Sequence, residues 1–405
     1  MKKFLLVIVV LAAIIGAFAI YLVATTPKTS AGVRFPLTNE HRALIAHVPR
    51  SADAFALIPT AAALDAKLRA NPITRGAIDD WSEKHLLPRP WMIGGADLLV
   101  WRDGKQTRYF LRLDPLRGVI VRIYLMMRGD SSGTLLINAP PSEGLDADEV
   151  ARITALAQNL PQADALVVQR DRARGAFPPI GRPAVTSLQI QPRALIITSR
   201  AANDSTEPAV TLNARYPRGA MLTATFAQQP RSLDDLNRLF GEKVSPLFSG
   251  GGAIALYDVD VDKLLPRPLG VLLFPADDER RAALDTLTRR AGAGQLLGIN
   301  ARTAEKDGQL LLSFDGSIDT YINDAIEPVT YPAALWAMRI DAQRLAPILE
   351  RLNDNVGLRL AAPHLFRSAR DLQRWIGALK QSSSIEAVDT IDAGGEQLRV
   401  TIASK

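Results

Sequence analysis

The chain has 405 residues, of which 47% are hydrophobic and 22% are charged, so it contains enough apolar material for a buried core. It has no Cys, which excludes disulfides, thiolate catalysis, Cys-ligated zinc and iron–sulfur clusters. The net charge is +6, but no run of stacking aromatic residues is interleaved with the arginine clusters at 102–128 and 170–174. We therefore expect solvated basic faces and no nucleic-acid partner, and a patch that binds anions or lipid headgroups is the alternative.

The first predicted element is an apolar segment at the N-terminus. Lys2 and Lys3 precede an unbroken apolar run from Phe4 to Ala24, and at about 1.5 Å per residue its 21 residues are long enough to cross a bilayer core of about 30 Å. The two lysines predict that the N-terminus stays in the cytoplasm and that later residues are exported. The sequence Ala-Phe-Ala at 17–19 fits a signal-peptidase site, but cleavage after Ala19 would leave an apolar stub, so we favour an uncleaved anchor over a removed signal.

The residues after the anchor predict a tether and then repeat units. Residues 25–45 are expected to be a polar tether, because Pro27, Lys28, Ser30 and Gly32 follow the apolar segment closely. Three later apolar runs open in the same way, each followed by a helix-like stretch: Asp53–Ile58, Ala220–Phe226 and Leu335–Ile340. We therefore predict a first α+β repeat unit over 46–203, a second over 204–323 and a partial third over 324–405.

Further elements inside these units complete the predicted fold. Helices with acidic first turns are expected near Asp146 and Asp277 and should occupy equivalent places if the first two units are copies. The apolar run Val119–Met127 predicts a strand. Strand-like runs dominate and few are continuously apolar. The predicted fold class is therefore α+β, with an N-terminal transmembrane helix followed by repeated sheet-plus-helix units in which helices cover one sheet face.

Three segments resemble a known group of proteins: Val48–Ile58 (VPRSADAFALI), Leu272–Glu279 (LLFPADDE) and Gly308–Ser313 (GQLLLS). They are similar to the repeats of uncharacterised membrane-anchored bacterial envelope proteins that are grouped as a domain of unknown function. The resemblance covers most of residues 45–403 and rests on apolar and turn positions. It implies an exported, tethered and non-enzymatic role, and it supplies no catalytic residue.

One catalytic motif has a formal match. Gly129–Gly133 (Gly-Asp-Ser-Ser-Gly) has the spacing of a nucleophile elbow, but an elbow leads into a helix, whereas Thr134–Ala139 is another apolar run. Gly, Asp and Ser between two β-like runs are typical of a hairpin loop. We therefore predict that Ser131 is a loop hydroxyl, and a serine hydrolase that uses Ser131 is an alternative.

Metal and cofactor motifs are weaker still. Two groups share some features of metal sites: Glu40, His41 and His47, and Asp258, Asp260 and Asp262. The two histidines lie six residues apart, on different faces of a helix, and no Gly or Glu follows the aspartates where a calcium loop requires them. We therefore predict no catalytic, cofactor-binding or metal-binding residues.

Export, an anchor and repeats together favour a membrane-tethered envelope protein with a non-enzymatic binding or scaffolding role. We expect a single-pass protein of the bacterial inner membrane whose folded part is periplasmic. Its expected partners are the bilayer, through Phe4–Ala24, and another envelope protein or a lipid. The first alternative is a carrier of a lipid or another apolar ligand, with a groove between the repeats. The second is the hydrolase that uses Ser131.

Overall fold

The structure, a computed structural model, describes residues 24–26, 32–76, 90–104, 106–127, 135–138, 144–170, 184–202, 210–227, 245–248, 250–262, 266–292, 301–355, 357, 369–392 and 395–405. The chain divides into two compact units, Met1–Ala202 and Asn203–Lys405. Within the described residues no helix is long and apolar enough to span a membrane. The predicted anchor, Phe4–Ala24, lies outside the described residues except for Ala24.

The first unit is built on a mixed sheet of seven described strands. Its elements in chain order are α1 (Asn39–Ile45), β1 (Ala54–Ile58), α2 (Ala61–Ala70), α3 (Pro90–Ile93), β2 (Leu98–Asp103), β3 (Gln106–Leu111), α4 (Pro115–Met127), β4 (Leu135–Ile137), α5 (Ala147–Ala157), β5 (Ala165–Gln169), β6 (Ala184–Gln191) and β7 (Ala194–Ala201). The strand order is β4-β3-β2-β1-β5-β6-β7. Neighbouring strands are antiparallel except β3 and β4, which are parallel.

Helices cover both faces of this sheet. Because the side chains of a strand alternate between faces, neighbouring residues of β2 and β3 belong to different apolar clusters. One cluster contains Leu99, Trp101 and Phe110 together with Ile45 of α1 and Ile153 of α5. The other contains Leu98, Tyr109 and Leu111 together with Ile93 of α3 and Val121 of α4. Helices α1 and α5 therefore lie on one face, and α3 and α4 lie on the other.

The residues before α5 explain how this helix begins and what it packs on. The Asp146 carboxylate accepts a hydrogen bond from the Glu149 amide at 2.8 Å, which confirms the helix predicted near Asp146. Gly144 approaches the end of α1 so closely that a Cβ there would stand 1.8 Å from the carbonyl oxygen of Ala46. Only glycine fits this approach, which holds the start of α5 against α1.

The second unit contains a sheet of eight described strands and a separate two-stranded sheet. Its elements are β8 (Leu212–Pro217), β9 (Leu222–Phe226), α6 (Ser245–Phe248), β10 (Gly252–Asp260), β11 (Arg267–Pro275), α7 (Asp278–Gly292), β12 (Arg302–Lys306), β13 (Gln309–Ser313), α8 (Ser317–Asn323), β14 (Ile326–Tyr331), β15 (Ala334–Asp341), α9 (Ala342–Asp354), α10 (Ala369–Gln381), β16 (Ser382–Asp392) and β17 (Gly395–Ser404). The larger sheet has the order β12-β13-β11-β10-β9-β15-β16-β17, and β8 pairs with β14.

Helices cover both faces of the larger sheet of the second unit as well. One apolar cluster contains Phe274, Leu310 and Leu312 together with Leu284 and Leu287 of α7. Another contains Val271, Leu273 and Leu311 together with Ile318 and Tyr321 of α8. Since these strand residues alternate along β11 and β13, α7 and α8 pack on opposite faces.

The two units share one order of strands. In the first unit β1 pairs with β2 and β5, and in the second β9 pairs with β10 and β15. The hairpins β2–β3 and β10–β11 follow on one side, and the series β5-β6-β7 and β15-β16-β17 follow on the other. The helix after β3 is α4, and the helix after its match, β11, is α7.

The predicted fold class, α+β with an N-terminal transmembrane helix and repeated sheet-plus-helix units whose helices cover one sheet face, is wrong. The strands form large sheets, mixed in the first unit, with helices on both faces, and no helix of the described ranges could be the transmembrane helix. The physical reason lies in the strands themselves. Leu98 and Leu99 are both buried although they point to opposite faces, so each face has to be covered.

The predicted equivalence of the helices near Asp146 and Asp277 is also wrong. Helix α5 lies between β4 and β5, whereas α7 follows β11, the strand that matches β3. The run Leu335–Ile340 lies in β15, which matches β5 rather than the opening strand β1. Acidic first turns are typical of helix starts in general, so they identify a helix but not the strands on either side of it.

The run Val119–Met127 is the C-terminal part of α4 and not a strand. The Asp114 carboxylate accepts a hydrogen bond from the Arg117 amide at 3.0 Å, as an N-cap residue does. Pro115 is the first helical residue, where its missing N–H costs nothing. These start signals outweigh the preference of Val and Ile for strands.

Residues 32–45, which the sequence predicts as part of a polar tether, belong to the first unit. Val33 and Leu37 are buried in the cluster that contains Trp101. The backbone of Val33 exchanges two hydrogen bonds with Ala163, at 2.6 and 3.0 Å. The apolar side chains of this segment are thus part of the core of the first unit. Helix α1 follows directly.

Candidate functional site

The outer side of α4 carries most of the exposed apolar side chains that the structure describes. Seven large hydrophobic side chains are exposed within the described ranges, and five of them lie on this helix: Leu116, Val119, Ile123, Met126 and Met127. Met126 and Met127 are exposed to 73% and 76%. Single exposed apolar residues are common, but a contiguous group marks an interaction surface. We call these five residues the α4 stripe.

The spacing of the α4 stripe makes it one continuous surface. At about 100° per residue, its five positions fall within an arc of about 100° around the helix. The opposite side of α4 is apolar as well, because Val121 is fully buried and Leu125 packs against the core of the first unit. A helix of a folded unit normally has a single apolar face, which it turns to the core. A second, exposed apolar face such as the stripe is therefore an expected contact surface for a partner.

Helix α4 carries positive charge and no negative charge. Its 13 residues include Arg117 and Arg122 and no acidic residue. Arg122 is exposed and borders the stripe, about 40° from Met126 around the helix. The surface thus combines an apolar centre with one cationic side chain at its border.

Arg117 fastens the N-terminal part of the chain to α4. Its guanidinium donates a hydrogen bond to the Thr25 hydroxyl at 2.8 Å and pairs with Asp114 at 3.3 Å. Gly94, with a φ of +58°, makes room for this group, since a Cβ there would stand 2.2 Å from Nη1 of Arg117. Thr25 directly follows Ala24, the last residue of the predicted apolar segment. The chain therefore enters the described fold beside α4.

A polar pocket of about 310 Å³ lies in the second unit. Arg339 and Glu327 form an ion pair at 3.0 Å in its wall, and the Arg339 guanidinium lies 5.8 Å from the centre of the Tyr216 ring. The Tyr216 hydroxyl donates to that of Tyr331 at 3.0 Å, which donates to Glu386 at 2.7 Å. Burial raises the pKa of both tyrosines, so they stay protonated. The pocket suits a small polar ligand that forms hydrogen bonds.

An apolar groove of about 740 Å³ lies between α1 and α5 in the first unit. Ala151 and Ala155 of α5 line it, and their small side chains leave the space open. Leu145 and Pro36 add apolar surface, and Arg42 of α1 lines it as well. Such a lining suits an acyl chain or another apolar ligand.

A titratable pair lies between α1 and the loop before β2. His41 and Asp97 attract each other, and Glu40 adds to the negative charge around them. Burial lowers the pKa of His41 and raises the pKa of Asp97, so it favours the neutral form of both groups. The Thr60 amide donates to Asp97 at 3.3 Å, and Thr60 itself has a φ of +54°, unusual for a β-branched residue. Asp97 thus holds the backbone of Thr60 at the start of α2.

The residues singled out from the sequence do not form one site in the described parts of the chain. Ser131 lies outside the described residues. His41 lies on α1, and His47 packs edge-on against Phe110 with ring centres 5.9 Å apart. Asp258 lies on β10 in the other unit. No group of three or more His, Asp or Glu that could hold a metal ion occurs within the described ranges.

The α4 stripe and the buried arginines are not among the features predicted from the sequence. The stripe follows the helical spacing of Leu116, Val119, Ile123 and Met126, and Asp-Pro before it is a helix-start signal, so both could have revealed the helix. The sequence predicts solvated side chains for Arg117 and Arg170. In the structure these side chains are only 8% and 14% exposed. Thr25, bound by Arg117, and Glu149, bound by Arg170, lie 92 and 21 positions away and leave no local signal.

The resemblance of Val48–Ile58, Leu272–Glu279 and Gly308–Ser313 to repeats of bacterial envelope proteins rests on the pattern of residues and stays a prediction. The α4 stripe, the groove and the polar pocket are features of this chain's own geometry. Comparisons of the chain with protein-family models, with curated proteins and with solved structures give no match.

Proposed function

We propose that this protein is exported, is held at the membrane by its apolar N-terminal segment, and works there by binding or scaffolding rather than by catalysis. The observation that carries this proposal is the contact between Thr25 and Arg117 at 2.8 Å. Thr25 follows Phe4–Ala24 directly, and Arg117 is buried in the first unit. A segment held in the membrane would therefore bring α4 and its stripe to the bilayer surface.

The position of the folded part follows from the charges at the start of the chain. Lys2 and Lys3 favour a cytoplasmic N-terminus and an exported remainder. The resemblance to bacterial envelope proteins supports the outer side of the bacterial inner membrane. Three surface features support a binding role. They are the α4 stripe, the groove between α1 and α5 and the polar pocket beside Arg339.

Alkaline phosphatase fused after Lys405 tests export, because this enzyme forms its disulfides and becomes active only outside the cytoplasm. We expect an active fusion, and we expect the full chain to stay in the membrane pellet after a carbonate wash. The matched control is the chain with Val9→Arg and Ile14→Arg, which places two charges in the apolar segment and should release the protein from the pellet. An inactive fusion would contradict export, and release of the unaltered chain would contradict retention.

The groove favours a second candidate function, the transport or storage of an apolar ligand. Its volume of about 740 Å³ is in the range of small-molecule sites, and it lies within the first unit. A fluorescent fatty acid should then bind the full chain, and Ala151→Trp, which fills the groove, should abolish the binding. Ala282→Trp, on the exposed side of α7, is the control. Equal binding by both variants would exclude the groove as the ligand site.

A further inference from the structure

We propose that the α4 stripe is a bilayer-docking surface. Helix α4 lies in the plane of the membrane interface, with the five stripe side chains in the lipid and Arg122 at the anionic headgroups. This inference rests on the proposed function, because the N-terminal segment is what brings the first unit to the membrane. It adds a second contact with the lipid, made by the folded unit itself.

The dimensions of α4 fit a helix that lies along the interface. Its 13 residues span about 20 Å, which is too short to cross a bilayer core of about 30 Å. The stripe runs from Leu116 to Met127, almost the whole length of the helix, so a helix lying flat can bury all of it. An apolar face bordered by basic side chains is typical of interfacial helices.

Lipid fits the α4 stripe better than a protein partner for two reasons. The first is position, since Thr25, at the end of an apolar segment long enough to enter a bilayer, is bound to Arg117 of the same helix. The second is charge. Arg122 is exposed beside the stripe and α4 has no acidic residue, which complements a negatively charged lipid surface.

Docking through α4 would fix the orientation of the first unit on the membrane. Two attachments, the N-terminal segment and the stripe, leave the unit much less freedom to rotate than one attachment does. Helices α4 and α5 lie on opposite faces of the sheet. With α4 in the interface, the groove between α1 and α5 faces away from the lipid, where a partner in the aqueous compartment can reach it.

The absence of Cys allows a direct measurement of depth. The full chain, carrying Val119→Cys or Met126→Cys, is labelled with a nitroxide and reconstituted in vesicles of phosphatidylethanolamine and phosphatidylglycerol. The matched control is Asn159→Cys, which is exposed after α5 on the other sheet face. Collisions with oxygen, which concentrates in lipid, are compared with collisions with a nickel chelate, which stays in water. We expect a several-fold higher ratio of oxygen to nickel collisions at 119 and 126 than at 159.

Two results in the membrane-bound chain would overturn the docking and leave the proposed function standing. Equal nickel access at 119, 126 and 159 would show that the stripe faces water. Low access of both reagents at 119 and 126 would show that a protein covers the stripe. Disulfide formation between two Met126→Cys chains would then identify a second copy as that protein.

A second variant separates the docking from the N-terminal attachment. This variant combines Val119→Glu, Ile123→Glu and Met126→Glu. All three side chains are exposed, so the fold should persist. If cell fractionation recovers the unaltered chain in the soluble fraction, the proposed function fails. Flotation of the unaltered and the substituted chain with added vesicles then tests the stripe alone. Docking predicts vesicle affinity that falls roughly tenfold for each replaced side chain and is weaker on phosphatidylcholine vesicles. Equal flotation of both chains, or none by either, would overturn it.

Discussion

Replacing Arg170 with alanine should lower the free energy of unfolding by about 3–5 kcal/mol, because it removes one partner of a largely buried ion pair. The Arg170 guanidinium donates to both oxygens of Glu149, at 2.6 and 2.8 Å, and the two side chains are 14% and 16% exposed. Its Nη1 also donates to the carbonyl oxygens of Arg50 and Ala52, both at 2.8 Å. The substitution would leave these carbonyl groups without the Arg170 donor and the carboxylate with only the long contact to Arg152, at 3.5 Å, among the side chains described.

Chemical denaturation of the full chain measures this effect, with Arg152→Ala as the matched control. Arg152 lies 3.5 Å from the same carboxylate, but its side chain is 56% exposed, so its loss should cost within about 0.5 kcal/mol. Arg170→Lys should also be destabilising, because an ammonium group cannot form the paired hydrogen bonds of the guanidinium. If Arg170→Ala lowers the free energy of unfolding no more than Arg152→Ala does, the Arg170 network does not stabilise the first unit as proposed.

Leu287→Ala in α7 should cost about 2–5 kcal/mol of unfolding free energy. Leu287 is 2% exposed and packs with Leu284 and Phe274 in the cluster beneath the helix. Truncation loses the transfer free energy of the side chain and leaves a cavity between α7 and the sheet.

Denaturation of the Leu116→Ala chain provides the comparison for the same chemical change at an exposed site. Leu116 is 45% exposed on α4, so its truncation should cost less than about 1 kcal/mol. Similar costs at both positions would contradict the packing of α7 on its sheet.

The sequence is informative where local signals decide the structure. The helix start at Asp146 could be predicted from a capping residue and acidic neighbours, because these groups act within one helical turn. A capping residue also precedes α4, at Asp114 with Pro115 after it, but without acidic neighbours; the run of Val and Ile that follows favoured a strand, and the prediction was wrong. The helical spacing of the exposed apolar side chains indicates a helix here, whereas the strand propensity of Val and Ile favours a strand.

Strand order and the candidate sites depend on residues that are far apart in the chain. Ala54 of β1 lies opposite Gln169 of β5, and no local pattern links them. Strand β15 likewise matches β5 because of the strand it pairs with. Its apolar sequence resembles that of β1 and does not reveal this match. The contact between Thr25 and Arg117 joins residues 92 positions apart, so the surface on which the proposed function depends appears only once the chain is folded.

The central claim is that the apolar N-terminal segment joins the fold at α4 and thereby brings the stripe to the membrane. Its most direct test is the distance between nitroxides at Ala24→Cys and Arg122→Cys, two exposed positions, in the full chain reconstituted in vesicles. Double electron–electron resonance should give one narrow distance distribution, and Thr25→Val, which removes the hydroxyl bound by Arg117, should broaden it. A broad distribution over several tens of Å in the otherwise unaltered chain, as a free tether would produce, would contradict the account.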